Sequence, residues 1–179
     1  MVRLSALRFP AVFWLVLAAL AGTAAIKPET IGTTTMGKPE PTWFIAKGTM
    51  GSGYVFDAED GEMQGLMSLS PFTPTVVRHP KRDELYGAEV HYSRRYNGTR
   101  TDVLAVVEHE TLNTIHEIDI PEKVASLAFP RYLSLLSDNA LLTVFNMTPA
   151  QSVTVVNVRK REFVGEITTP GCALMLPVE

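Results

Sequence analysis

The sequence predicts an all-β fold, an incomplete β-propeller of about three four-stranded antiparallel blades. The first observation behind this is a pattern that occurs three times. Val55-Phe56-Asp57, Val106-Val107-Glu108 and Val155-Val156-Asn157 each close an apolar strand with a polar residue. A polar turn follows each one, and then a second apolar strand, over residues 62–69, 113–120 and 162–168. The second observation is the constant spacing: Phe56, Val107 and Val156 fall at offsets of 51 and 49, and Gly65, His116 and Gly165 keep the same offsets. Pro121 and Pro170 close the later copies 49 apart, with Pro71 near the matching place in the first. Four short antiparallel strands take roughly 40 to 50 residues, so a repeat of this length built from strand pairs is one propeller blade.

A closed propeller needs about four to eight blades, each hiding its apolar faces against its neighbours. Three cannot close a ring. The expectation is therefore the N-terminal part of a longer protein, with Glu179 ending inside a strand.

Residues 1–25 read as a signal peptide outside the fold. Arg3 and Arg8 form a charged start, residues 9–21 are an apolar run of 13, and small residues follow, with cleavage after Ala21, Ala24 or Ala25. That run is short of the roughly 20 residues of a membrane span, so no stable span is expected. Its removal takes the formal charge from −3 to −5, because it carries two cations and no anion. Such a balance excludes a nucleic-acid partner of the usual kind, which needs concentrated Lys and Arg.

Residues 26–53 hold Pro28, Pro39, Pro41, a Thr33-Thr34-Thr35 run, Gly48, Gly51 and Gly53, and read as an extended leader or loop. Trp43-Phe44-Ile45 is its apolar anchor, expected on the rim of the fold. The partial propeller proper is placed at residues 54–179. In the second unit, strands are expected over 101–107 and 113–120; in the third, over 132–136, 140–146, 152–158 and 162–168. Asp138 and Asn139 punctuate the turn between the first two strands of the third unit, because such side chains bond their own backbone and tolerate the left-handed conformation. Along 152–158, Val153, Val155 and Asn157 share one face while Thr154, Val156 and Val158 share the other. Both faces are fairly apolar, as a sandwiched blade requires.

No catalytic constellation is visible. His79, His91, His109 and His116 fall in turns and strands without the spacing of a zinc pair. Asp57-Ala58-Glu59-Asp60 lacks the length and the closing Glu of a calcium loop and reads as a hairpin tip. The serines lack a nucleophile-elbow context. Catalytic, cofactor-binding and metal residues are thus expected to be none on this chain. Arg100-Thr101-Asp102 is a structural motif, because an arginine beside a strand start can tie down a neighbouring loop through bidentate hydrogen bonds. Cys172 is the sole cysteine. In an exported protein it either pairs elsewhere or packs as a small apolar side chain.

Two runs of residues resemble a known family. Tyr92-Ser93-Arg94-Arg95-Tyr96-Asn97-Gly98-Thr99-Arg100-Thr101-Asp102-Val103, followed by 108–112 and Ile118-Asp119-Ile120-Pro121, is similar to the heavy β-propeller subunit of the quinoprotein amine dehydrogenases. So is Phe145-Asn146-Met147-Thr148-Pro149-Ala150 with 152–158, 164–167 and Pro170-Gly171-Cys172-Ala173-Leu174. The resemblance is closer to the aromatic amine branch than to the methylamine branch. It implies a periplasmic, seven-bladed heavy subunit of a heterotetramer that oxidises primary amines to aldehyde and ammonia. It further implies a tryptophan tryptophylquinone cofactor on the partner light subunit, a blue copper electron acceptor, and a disulfide between Cys172 and a cysteine beyond residue 179. A propeller fragment by itself is expected to be inactive and poorly soluble, since its outer blade faces lack neighbours. The repeat alone leaves two other readings open: an exported binding or scaffold module without an enzymatic partner, and a gene remnant without function.

Overall fold

The computed structural model describes residues 35–48, 51–73, 75–127, 129–172 and 174–178. The expected signal peptide lies outside them, as does Glu179. The described residues form eleven strands in three antiparallel sheets, which together are a sector of a propeller. The first sheet holds β1 (Trp43–Lys47), β2 (Ser52–Asp57) and β3 (Met63–Ser68). The second holds β4 (Val76–Arg78), β5 (Glu84–Arg94), β6 (Asn97–Glu108) and β7 (Thr114–Ile120). The third holds β8 (Leu133–Leu135), β9 (Leu141–Asn146), β10 (Ser152–Asn157) and β11 (Glu162–Thr168), entered through a 3-10 turn at Pro130–Tyr132. Within each sheet the strands pair in sequence order, as in a meander.

The repeat seen in the sequence is the outer hairpin of each blade. β2–β3, β6–β7 and β10–β11 all carry a bulge at the same step: Val55 faces Gly65 but Phe56 faces Met63, Val106 faces His116 but Val107 faces Thr114, and Val155 faces Gly165 but Val156 faces Phe163. One extra residue, Gln64, Ile115 or Val164, therefore sits in each outer strand and increases its local twist. The turn before it also repeats. Gly61, Leu112 and Arg161 all take positive φ, at 78°, 55° and 58°. The polar residue that opens each turn bonds within it: Asp57 accepts from the Glu59 amide, Glu108 from the Thr111 hydroxyl, and Asn157 from the Arg159 and Lys160 amides.

Packing follows from strand alternation. Even-numbered residues of β5 and β6, among them Tyr86, Ala88, Val90, Leu104 and Val106, meet Leu133, Leu142, Val144 and Val156 of the third sheet and Val158 of its β10–β11 turn. Odd-numbered Leu85 and Val107 meet Val55, Met67 and Leu69 of the first. The middle sheet is thus covered on both sides, and residues 85–90 and 102–107 are buried without a break. β2 and β10 alternate buried and half-buried positions, because only one face of each is covered. The remaining faces stay open, with Phe44, Leu66, Val164 and Ile167 each at least half exposed.

Three expectations are corrected. Residues 43–47, read as part of a leader without regular structure, form β1, whose Trp43 and Ile45 pack in the core between the first two sheets while Phe44 points outward. The first sheet has three strands rather than four among the described residues. Upstream of β1 the chain carries Gly37, Pro39 and Pro41, and the Met36 amide bonds the Glu110 carbonyl of the second sheet's turn instead of extending the first sheet. The second unit begins its third strand at Asn97, not at Thr101. Glu179, expected to end inside a strand, lies outside the described residues; residues 174–178 before it carry no strand pairing.

The repeat sets up an internal comparison. A Cβ on Gly65 would collide with Met36 Sδ and lie 2.7 Å from Leu112 Cδ1, whereas one on the equivalent Gly165 would meet nothing within 4 Å. Gly65→Ala should therefore destabilise by about 1 kcal/mol, since the Met36 and Leu112 chain ends must move aside to admit the methyl group. Gly165→Ala should be neutral or stabilising by up to about 1 kcal/mol, since alanine has less unfolded-state freedom to lose. Urea midpoints of the two variants check this.

Candidate functional site

The inner strands β4 and β8 lie side by side and leave between them an open groove of about 480 Å³, lined by Val77, Arg78, Pro80, Arg131, Leu135, Leu136 and Asn139 among others. Arg78 and Pro80 also line an adjoining cleft of about 300 Å³ with Lys38, Lys81, Arg82 and Asp83. Arg82 is paired with Glu84 at 3.4 Å, and Arg161 reaches the same carboxylate at 3.0 Å. Lys38, Arg78, Lys81 and Arg131 form no ion pair among the described residues. In a chain of net negative charge, this inner rim gathers four cations without ion pairs around a single carboxylate, Asp83, a balance suited to hold anionic or carboxylate-bearing groups. It contains no nucleophile with a base beside it.

Two histidines hold the rim in place. His79 is buried; its Nδ1 accepts the Lys81 and Arg82 amides at 3.0 and 2.9 Å, so its proton sits on Nε2, which donates to the Asn139 carbonyl at 3.1 Å. That bond ties the β4–β5 turn to the β8–β9 turn across two blades. His109 is also buried and stacks on Trp43 with centroids 6.1 Å apart, while the Trp43 indole donates to Asp57 at 3.1 Å. Burial pushes the His109 imidazole below its ordinary pKa, and its Nδ1 has no partner among the described residues. Both histidines fall in the turns the sequence assigns them. The bridging role of His79 was not legible, because it depends on a turn 60 residues away.

Arg100 and Asp102 come together with Val124. The guanidinium donates Nε to Oδ1 and Nη2 to Oδ2 of Asp102, both at 2.6 Å, and Nη2 also reaches the Val124 carbonyl at 3.0 Å. Asp102 Oδ2 accepts the Val124 amide at 2.9 Å. Asp102 is fully buried, so the clamp pins the β7–β8 connection to the middle sheet through both polar groups of one peptide residue. Thr101 lies between them on the strand, facing His91 in register and exposed. Cys172 is an exposed free thiol, its amide bonded to Thr169. Among the described residues there is no cluster of metal-ligating side chains and no helix long and apolar enough to cross a membrane.

A buried carboxylate that sequence reasoning missed sits between the first two blades. Glu89 Oε2 lies 3.1 Å from His91 Nε2 and accepts the Ser70 amide at 3.2 Å, while the Ser70 hydroxyl donates to the Val90 carbonyl. Desolvation raises the Glu89 pKa, with Glu117 nearby adding to the rise and His91 opposing it. Nothing in the strand pattern flags Glu89, because it occupies a core position in an otherwise apolar run.

A profile of the methylamine dehydrogenase heavy chain family matches residues 39–179. The methylamine dehydrogenase heavy chain of Methylophilus methylotrophus is 27% identical over 125 residues, which is 69% of this chain and 31% of that one. The heavy chain of Methylobacillus flagellatus is 31% identical over 88 residues, 49% of this chain and 22% of that one. The chain therefore spans about a third or less of the length of these curated relatives. Among solved structures, dihydro-heme d1 dehydrogenase NirN in complex with DHE aligns with a TM-score of 0.50 at 14% identity, covering 68% of this chain and 24% of that one. That likeness concerns the fold alone.

Two outcomes follow from the polar ties. Asp102→Ala strands the Arg100 guanidinium and the Val124 amide and should cost about 3 kcal/mol of stability in urea unfolding. Glu89 acts in the opposite sense. Its folded pKa is raised, so its contribution is complete below the ordinary value of 4.5 and is lost as the pH climbs through the folded value. The urea midpoint of Glu89→Gln should therefore gain on that of the unsubstituted protein steadily as the pH rises above 4.5. A pH-independent difference would disprove the assignment.

Proposed function

The chain belongs to the methylamine dehydrogenase heavy chain family, and from that premise we propose that it is part of the heavy subunit of a periplasmic amine dehydrogenase. The enzyme oxidises primary amines to aldehyde and ammonia and passes the electrons to a blue copper protein. In this reading residues 1–25 export the chain, residues 54–179 with β1 supply blades of the scaffold, and the light subunit docks on it. Within the family the reading takes the aromatic amine branch, on the resemblance of residues 92–103 and 145–174 taken together. Cys172, exposed in this sector, pairs with a cysteine beyond residue 179 of the longer protein. The observation that carries the reading is the family match across residues 39–179, the same residues that build the three sheets.

The residues of this chain do not fit the cofactor itself. A tryptophan tryptophylquinone requires two linked tryptophans, and Trp43 is the only one among the described residues, its indole engaged by Asp57 and its ring covered by His109. The quinone is assigned to the light subunit, which would supply the amine oxidation. This chain's part is to position that subunit and to help wall the substrate path.

Purification of the tagged chain from its native host should recover a smaller, cysteine-rich subunit with quinone absorbance. Amine-dependent dye reduction in periplasmic extract should disappear when the gene is deleted. Recovery of the chain without such a subunit, and unchanged dye reduction after deletion, would leave the non-enzymatic scaffold as the better account. A series of aromatic amines against methylamine distinguishes the two branches by relative kcat/KM.

A further inference from the structure

The second blade departs from its own repeat. The β1–β2 and β9–β10 ladders end where Lys47 faces Gly53 and Asn146 faces Ser152. The β5–β6 ladder runs on past that point, from Val90 facing Asp102 through Tyr92 facing Arg100 to Arg94 facing Asn97. In repeat proteins an insertion confined to one repeat maps to a loop on one face, often the binding face. This arm is not a slack loop. Phe72 packs edge-on against Tyr92 and Tyr96 at 5.5 and 5.9 Å, Ser93 Oγ accepts the Thr99 amide at 3.1 Å, and the Arg100–Asp102 clamp anchors the root.

Its charge is one-sided. From Val90 to Thr101 the arm contains Arg94, Arg95 and Arg100 and no acidic residue, within a chain of net charge −3. Arg100 is neutralised by Asp102, while Arg94 and Arg95 form no ion pair among the described residues. Arg95 sits at the tip with φ of 62°, a conformation that costs a side chain about 1 to 2 kcal/mol relative to glycine. Its guanidinium lies 5.1 Å from the centre of the Tyr96 ring, and Tyr96 is 47% exposed. Arginine and tyrosine held in advance on a rigid element are what dominant interface contacts consist of, because little ordering cost remains to be met on binding.

We propose that the β5–β6 arm is a docking element, with Arg94, Arg95 and Tyr96 seating on a carboxylate-rich surface of a partner protein. Two bare guanidiniums are too few to hold a nucleic-acid backbone, for which binding strength scales with the number of phosphates neutralised. They match paired carboxylates, which arginine grips bidentately, and the tyrosine ring adds apolar contact between them. The proposal does not depend on the partner being a quinone subunit.

The test places a photo-crosslinking benzoylphenylalanine at position 96 in the full-length protein, expressed in its native host, and maps adducts by mass spectrometry. One dominant adduct is expected, to a peptide of a different protein rich in Asp and Glu. Arg94→Glu with Arg95→Glu should lower its yield by about tenfold or more, and Arg94→Lys with Arg95→Lys should keep most of it. Salt at about 0.5 M should also lower the yield, since exposed ion pairs are screened over a few ångströms. The urea midpoint of the charge-reversed protein should match that of the original, because the tip lies outside the three core clusters. No adduct, an adduct only within this chain or to a second copy, an adduct to nucleic acid or lipid, or a yield indifferent to charge reversal overturns the proposal. Failure of the amine dehydrogenase reading leaves this outcome untouched, so the two can be told apart.

Discussion

The structure depends on covering both faces of the middle sheet. β5 and β6 bury residues 85–90 and 102–107 continuously, so neither face can meet water without losing the apolar contacts that hold the other strands in place. The first and third sheets supply that cover and are left with one open face each. This is the logic of a repeat architecture, in which each unit is stable only through its neighbours. Phe44 stacked on Phe56 on one open face, and Val164 and Ile167 on the other, mark where further cover belongs.

Polar contacts then fix how the sheets are set against one another. Apolar packing is non-directional, so on its own it specifies relative height less sharply than a hydrogen bond does. The bond from His79 to Asn139, the Arg161–Glu84 ion pair at 3.0 Å and the Lys123–Glu166 pair at 2.8 Å each join the second blade to the third at a different height. Ser70 bonded to Glu89 and Val90 does the same between the first and second. Exposed pairs contribute little energy, about 1 kcal/mol or less each. The buried ones, Asp102 with Arg100 and Glu89 with Ser70, are the stronger constraint, because unmaking them leaves a charge or an amide without a partner.

How much was legible in the sequence follows from what each signal requires. The outer hairpins were read in place because the apolar strand, the polar turn and the second strand recur at fixed offsets, while the bulge inside each became visible only in the pairing register. The third blade was read strand for strand for the same reason. β1 was missed because five residues between prolines and glycines carry no period long enough to outweigh those breakers, and its strand state comes from pairing with β2. Glu89, His79 and His109 were invisible as buried groups, since polar residues in the core are satisfied by partners far away in sequence. Arg100-Thr101-Asp102 stood out because both ends of its hydrogen-bond fork lie two residues apart.

Function in such a molecule resides where the repeat breaks. The outer hairpins are alike in all three blades, with the same bulge at the same step. The inner turns differ from blade to blade: the β4–β5 turn carries Lys81 and Arg82 where the β8–β9 turn carries Ser137 and Asp138, so the cations of the groove lie mainly on the β4 side, with Arg131 facing them from the β8 side. The lengthened β5–β6 hairpin adds a second departure at the other end of the same blade. A rigid framework with two specialised ends can hold one molecule at its inner rim and engage another through its arm without moving a core residue. That arrangement is consistent with the positioning role proposed for this chain.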